Sequence, residues 1–246
     1  MKLNYETCLI GSKCVLVPYR RVHVDRYHKW MQSPALLEAT GSEPLSLTEE
    51  YEMQESWKQD EKKCTFIILE RKTLVKSIPD SGERDDTFVT DNVNAMVGDV
   101  NLFLSEEDDD NDEAEVAKDG ANMGTDDVQT TPRVQAELDI MVAEESARGR
   151  GIGLEATCLM MLYGAQELGI RRFFCKINQD NESSLYLFRK LNFVQCDYVA
   201  CFQQYEYELK RETAEQLVEE CLAPFIEATT IKKFSCPSDV VESRCG

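Results

Sequence analysis

The chain has 246 residues, 42% hydrophobic and 30% charged, a balance that supports one sizeable domain and excludes a knottin, a collagen or a fully disordered polymer. Its 46 acidic against 27 basic side chains leave a net charge of −19, which repels nucleic-acid phosphates and anionic lipid, so neither is expected as a partner. Ten cysteines in a chain of this size, with Asn4, Tyr5 and Glu6 interrupting any apolar leader, are expected as small apolar side chains in a reducing compartment, the cytosol or the nucleus.

Residues 14–19, 64–69, 95–104 and 134–142 are rich in β-branched and aromatic side chains and are predicted as strands. Residues 22–31 and 34–39 are predicted as short helices. Ser46 with Glu49 forms a capping box that opens a third helix through Tyr51, Met53 and Trp57. Two stretches lack apolar periodicity: residues 80–92, contributing −4, and residues 105–131, contributing −10 with Lys118 their single base against eleven acids. They are expected as mobile acidic loops within a nearly neutral domain.

After the fourth strand comes the run Arg148, Gly149, Arg150, Gly151, Ile152, Gly153. Leu154, Cys158, Met161, Ala165 and Leu168 follow at helical spacing on one face, closed by Gly169. Residues 171–177 are predicted as a strand, 181–191 as a helix with Leu185, Phe188 and Leu191 inward, and 201–209 as the last strand. A strand, loop, helix and strand in succession need a crossover, so 134–142 and 171–177 are expected as parallel neighbours in a mixed sheet. The expected organisation is one domain over 1–210 carrying both acidic loops, then a helix and tail over 211–246.

Three glycines at alternate positions before a helix free the backbone of Cβ clashes, so that successive amides can converge on an anion at the positive end of the helix dipole. Neither the spaced glycines of a dinucleotide fingerprint nor a P-loop lysine is present. Arg148, Gly151 and Gly153 fit the pattern R/Q-x-x-G-x-G/A. Asn181, Ser184, Phe188 and the Asn192–Phe193 pair fit N-x-x-[AS]-x-x-x-[YF]-x-k-l-G-F, apart from asparagine at the glycine position. On these motifs the chain resembles the GNAT superfamily of N-acetyltransferases. On the segments AMVGDVNLFL, ELDIMVAEESARGRGIG and KINQDNESSLYLFRKLNF it resembles the eukaryotic N-acetyltransferase 9 group, related to bacterial ribosomal-protein alanine acetyltransferases, over residues 1–104 and 132–210.

The resemblance implies an α/β fold in which a mixed, mostly antiparallel twisted sheet is flanked by helices and a central parallel strand pair splays to hold an acyl-CoA. It implies acetyl-CoA as co-substrate, bound by Met141 and Val142, by Arg148, Gly149, Arg150, Gly151, Ile152 and Gly153, and by Asn178, Asn181, Ser184 and Phe188. The reaction implied is direct attack of a protein amine on the thioester, the acceptor being a cytoskeletal or ribosomal protein. Phe188 stands where many members carry an acid-bearing tyrosine, and Tyr186 lies roughly 200° away around a helix. An α-amine of pKa ~7.7 is neutral far more often near pH 7.4 than a lysine of pKa ~10.4, so an N-terminus asks less of the enzyme. Candidate bases are Glu137 first, then Asp139 and Asp99. Neither C-x-x-C nor H-E-x-x-H occurs, and no metal is expected. The alternative reading is a non-catalytic acyl-CoA-binding scaffold whose acidic loops dock a partner.

Overall fold

The computed structural model describes residues 1–79, 85, 87–107, 134–225 and 232–235. The expected loops therefore fall outside the described residues over 80–84, 86 and 108–131, as does the tail beyond 235.

Nine strands form one sheet among the described residues: β1 (Thr7–Ile10), β2 (Cys14–Pro18), β3 (Lys63–Glu70), β4 (Met96–Glu106), β5 (Val134–Val142), β6 (Arg172–Asn178), β7 (Val194–Val199), β8 (Gln204–Lys210) and β9 (Lys232–Ser235). Their spatial order is β7-β8-β6-β5-β4-β3-β2-β1-β9. Every pairing is antiparallel except β5 with β6, the expected parallel pair. Among the described residues seven α-helices accompany the sheet: α1 (Val24–Trp30), α2 (Pro34–Thr40), α3 (Leu47–Gln59), α4 (Phe88–Asp91), α5 (Ile152–Leu168), α6 (Glu182–Lys190) and α7 (Ala214–Gln216), the last continuing as a π-helix over Leu217–Leu222.

Helices cover both faces of the sheet, so its middle strands read as continuous apolar runs rather than as alternations. In β3, Phe66 and Ile68 pack toward α5, whereas Ile67 and Leu69 pack toward α1 and α4, all four fully buried. Each such side chain contributes on the order of 1.5–3 kcal/mol by leaving water. Helix α5 is buried nearly all round rather than on the single predicted face, because Leu217, Cys221 and Leu222 of the C-terminal π-helix cover its outer side.

Three strands, β1, β7 and β9, go beyond the predicted set. The acidic stretches also depart from their reading as loops where they are described. Phe88 and Val89 on α4 are buried, giving residues 87–92 an anchor of their own. Strand β4 runs on to Glu106, and the half-hidden Glu107 pairs with Arg171 and Lys210.

Strand β4 shifts register against β3, where Ile68 faces Gly98 but Leu69 faces Met96. Gly98 then lies so close to β5 that a Cβ there would overlap the Met141 carbonyl. The Val97 carbonyl accepts from both the Ala143 amide (2.8 Å) and the Glu144 amide (3.1 Å) as β5 ends. These bonds carry the β4 contact past the end of β5, to Glu144. Gly98→Ala is expected to lower unfolding stability by about 3 kcal/mol, because the obstacle is backbone and cannot swing aside. Urea denaturation measures it, and a loss under ~0.5 kcal/mol would show that the close approach does not constrain the strands.

Candidate active site

The parallel ladder between β5 and β6 pairs only Gln135 with Arg172, Ala136 with Phe173 and Glu137 with Phe174. Beyond Glu137 the strands part, although β5 stays paired to β4 as far as Val142. Into the wedge opens a cleft of about 970 Å³. Its walls are residues 138–143 of β5 and the following turn, Cys175 to Asn178 of β6, the glycine loop, α6, and the α1–α2 corner with Trp30, Ser33, Leu36 and Thr40.

The corner is held over the wedge by specific contacts. Glu144 accepts from Arg26 (2.8 Å) and from the Trp30 indole (3.0 Å), and the Asn178 amide donates to the Glu38 carbonyl (3.2 Å). Ser33 and Pro34 start α2, and Gly41 ends it at φ 60°. Sequence reading placed these helices but not their part in the site; Pro34 at the first helical position was the available signal.

The glycine loop enters α5 through two left-handed residues, Gly149 (φ 69°) and Gly151 (φ 79°). Gly151 is the N-cap of α5 and has no side chain to cap with, so the first amides of this 17-residue helix carry no side-chain partner. Space beside Gly149 is open, with nothing within 4 Å of where its Cβ would be. Uncapped amides, a helix dipole and an open face together suit a diphosphate.

The loop's side chains are engaged elsewhere. Arg148 donates to the Val142 carbonyl (2.8 Å) and the Ala143 carbonyl (3.1 Å), Arg150 to Glu70 and the Ser146 carbonyl, and Ile152 is buried in the core. Neither Arg150 nor Ile152 is among the residues lining the cleft. Asn181 caps α6, accepting from the Ser184 amide (3.1 Å), and Asn178 also accepts from Gln204 (2.8 Å). Phe188 lines the cleft but is locked edge-on against Phe193 with ring centres 5.0 Å apart, and it has no proton to offer. Tyr186, set aside on helical geometry, lines the cleft too and is 69% exposed.

The three candidate carboxylates separate. Glu137 pairs with Lys176 at 2.9 Å where the ladder is still closed, and it is not among the cleft-lining residues. Asp139 lies two residues past Glu137, the last laddered residue, and lines the cleft. Burial pushes its carboxyl up to about 6, and the nearby Glu137 charge adds to the rise, against a bond from the Ile140 amide. Asp99, 2% exposed, sits behind on β4 and accepts from the Asn101 side chain at 2.7 Å. Desolvation, helped by the Asp139 charge, raises it to about 7.

Among the described residues no helix is long and apolar enough to cross a membrane. A wedge between parallel strands, fed by an uncapped glycine entry to a helix, belongs to the acetyltransferase (GNAT) domain. The model of that domain matches residues 13–194, and the chain belongs to this family. It is an acetyl-CoA-dependent N-acetyltransferase. Among curated proteins it is 43% identical to an N-acetyltransferase 9-like protein of Nematostella vectensis, over 83% of this chain and 86% of that one. It is 40% identical to the human alpha/beta-tubulin-N-acetyltransferase 9, over 83% of each. Among solved structures, spermidine N-acetyltransferase of Vibrio cholerae in complex with CoA and spermine shares the fold at a TM-score of 0.56 and 13% identity, over 85% of this chain and 99% of that one.

Folded Asp99 keeps its proton up to about pH 7, whereas an unfolded aspartate releases it near pH ~3.9. Stability from this group is thus lost as pH rises through that interval. Asp99→Asn is expected to raise Tm at pH 8 relative to the parent chain and to match it near pH 4. An identical difference at both pH values would show that no charge is being buried there.

Proposed function

We propose that this enzyme acetylates the amine of a protein chain, that the acceptor is an N-terminal α-amine, and that Asp139 is the proton acceptor. The observation that carries the reading is the place of Asp139, on the cleft wall just past the point where β5 and β6 part. The donor, when bound, supplies the acetyl group as an activated thioester. Gly149, Gly151 and the first amides of α5 hold its diphosphate, and the free edge of β5 over residues 138–142 offers main-chain groups to its pantetheine arm and to the thioester oxygen.

The acceptor amine enters under the α1–α2 corner and must lose a proton to react. Asp139, at about 6, lies within roughly two pKa units of an α-ammonium but more than four below a lysine ammonium. The match favours an N-terminus. Asp99 and Asn101 stand behind it, Asp99 adding a second carboxylate of raised pKa. The thiolate leaves unassisted by residue 188, which a thiol of pKa ~8.5 tolerates.

The names of the human and mouse relatives point to α- and β-tubulin as the acceptors to try first, a cytoskeletal rather than a ribosomal target. Six described cysteines buried in the free form suit a reducing compartment such as the cytosol. Incubation of the protein with acetyl-CoA and purified tubulin, followed by peptide mass spectrometry, is expected to show acetylation at chain N-termini; modification confined to lysines would contradict the reading. Asp139→Asn is expected to lower kcat by about 10²–10³-fold, leave the KM for acetyl-CoA unchanged, and abolish the rise in kcat/KM through about pH 6. A variant that keeps both the rate and the pH limb would remove Asp139 from the chemistry.

A further inference from the structure

Lys13 lies in the tight connection between β1 and β2, far in sequence from the glycine loop. Its backbone is gripped from two sides. Glu155, on the first turn of α5, accepts from the amides of Ser12 (2.9 Å), Lys13 (2.7 Å) and Cys14 (2.9 Å). On the other side, Arg71 donates from its side chain to the Gly11 carbonyl (2.9 Å) and from its amide to the Lys13 carbonyl (2.9 Å). These bonds tie the hairpin turn to the start of α5.

The side chain then runs to the helix entry. The Lys13 ammonium sits 2.5 Å from where a Cβ on Gly151 would be, so the absence of a side chain at 151 is what makes room for it. Among the described residues this ammonium makes no hydrogen bond or ion pair. A cation beside the positive end of a helix dipole, next to uncapped amides, is unfavourable until an anion joins it. The loop's own arginines do not reach for such an anion, since Arg148 is bonded to Val142 and Ala143, and Arg150 to Glu70 and Ser146.

Resting on the donor site described above, we propose that Lys13 is a phosphate-binding residue of that site, an ammonium delivered from the first hairpin to the phosphates of the acyl-CoA. It acts on the nucleotide end of the donor and not on the thioester. The Lys13 contact therefore discriminates full coenzyme A from donors that lack phosphates.

Calorimetric binding of CoA, 3′-dephospho-CoA and pantetheine to the parent chain, Lys13→Gln and Lys13→Arg tests this. Lys13→Gln is expected to weaken CoA about tenfold, with a shallower salt dependence, and to leave pantetheine affinity unchanged without lowering the ligand-free Tm. Lys13→Arg is expected to restore most of the affinity. If dephospho-CoA suffers the same loss, the contact is with the diphosphate; if it escapes the loss, with the 3′-phosphate. Binding of CoA to Lys13→Gln within twofold of the parent, or an equal loss for pantetheine, overturns the assignment while leaving the donor site standing. Failure of the parent chain to bind CoA at all would instead overturn the donor site, and the assignment with it.

Discussion

Parallel strands have to stay laddered to satisfy their backbone, and this enzyme is built on a place where they do not. After Glu137 and Phe174 the β5–β6 ladder stops. Strand β5 survives the loss of its partner because β4 pairs with it to Val142, and because the Val97 carbonyl holds the Ala143 and Glu144 amides just beyond. What opens is a strand edge walled by protein, where unpaired amides are costly until a ligand meets them. The glycine entry to α5 adds a second set of unpaired amides at the other end of the same wedge. In the proposed donor mode, binding would complete hydrogen bonding that the fold leaves open.

The rest of the molecule works to keep that wedge from collapsing. Helix α5 is buried on nearly every side, pinned at its start to the β1–β2 turn through Glu155 and covered at its back by the C-terminal π-helix. The α1–α2 corner is tied down by Glu144 and Asn178 rather than by apolar packing alone. Asp99 and Asp139 run against stability: their burial raises both pKa values and makes the charged forms costly. Groups of this kind gather at sites that move protons, and their cost is borne by the apolar layers on either side of the sheet.

Much of this was legible in the sequence. The crossover from residues 134–142 through a glycine loop to 171–177 required the one parallel pair, and Gly149 and Gly151 take the left-handed conformations that the loop's composition allowed. Three strands were not legible: β1 is only four residues long, β7 is exposed along nearly its whole length and so shows no inside–outside pattern, and β9 joins the sheet after a long gap in sequence. Alternation correctly placed Glu137 and Asp139 on one face, but it carried no information on where the ladder ends, and that point separates them. Likewise, nothing in the motif tells that Arg148 and Arg150 are consumed by local bonds, or that Lys13, more than a hundred residues earlier, reaches Gly151.

Amide hydrogen exchange with and without CoA tests the open-wedge account most directly, because it reads the unpaired main-chain groups themselves. The account predicts that CoA slows exchange over residues 138–142 and 149–154 and leaves α3 unaffected. Protection confined to other parts of the sheet, with both of these segments unchanged, would contradict it.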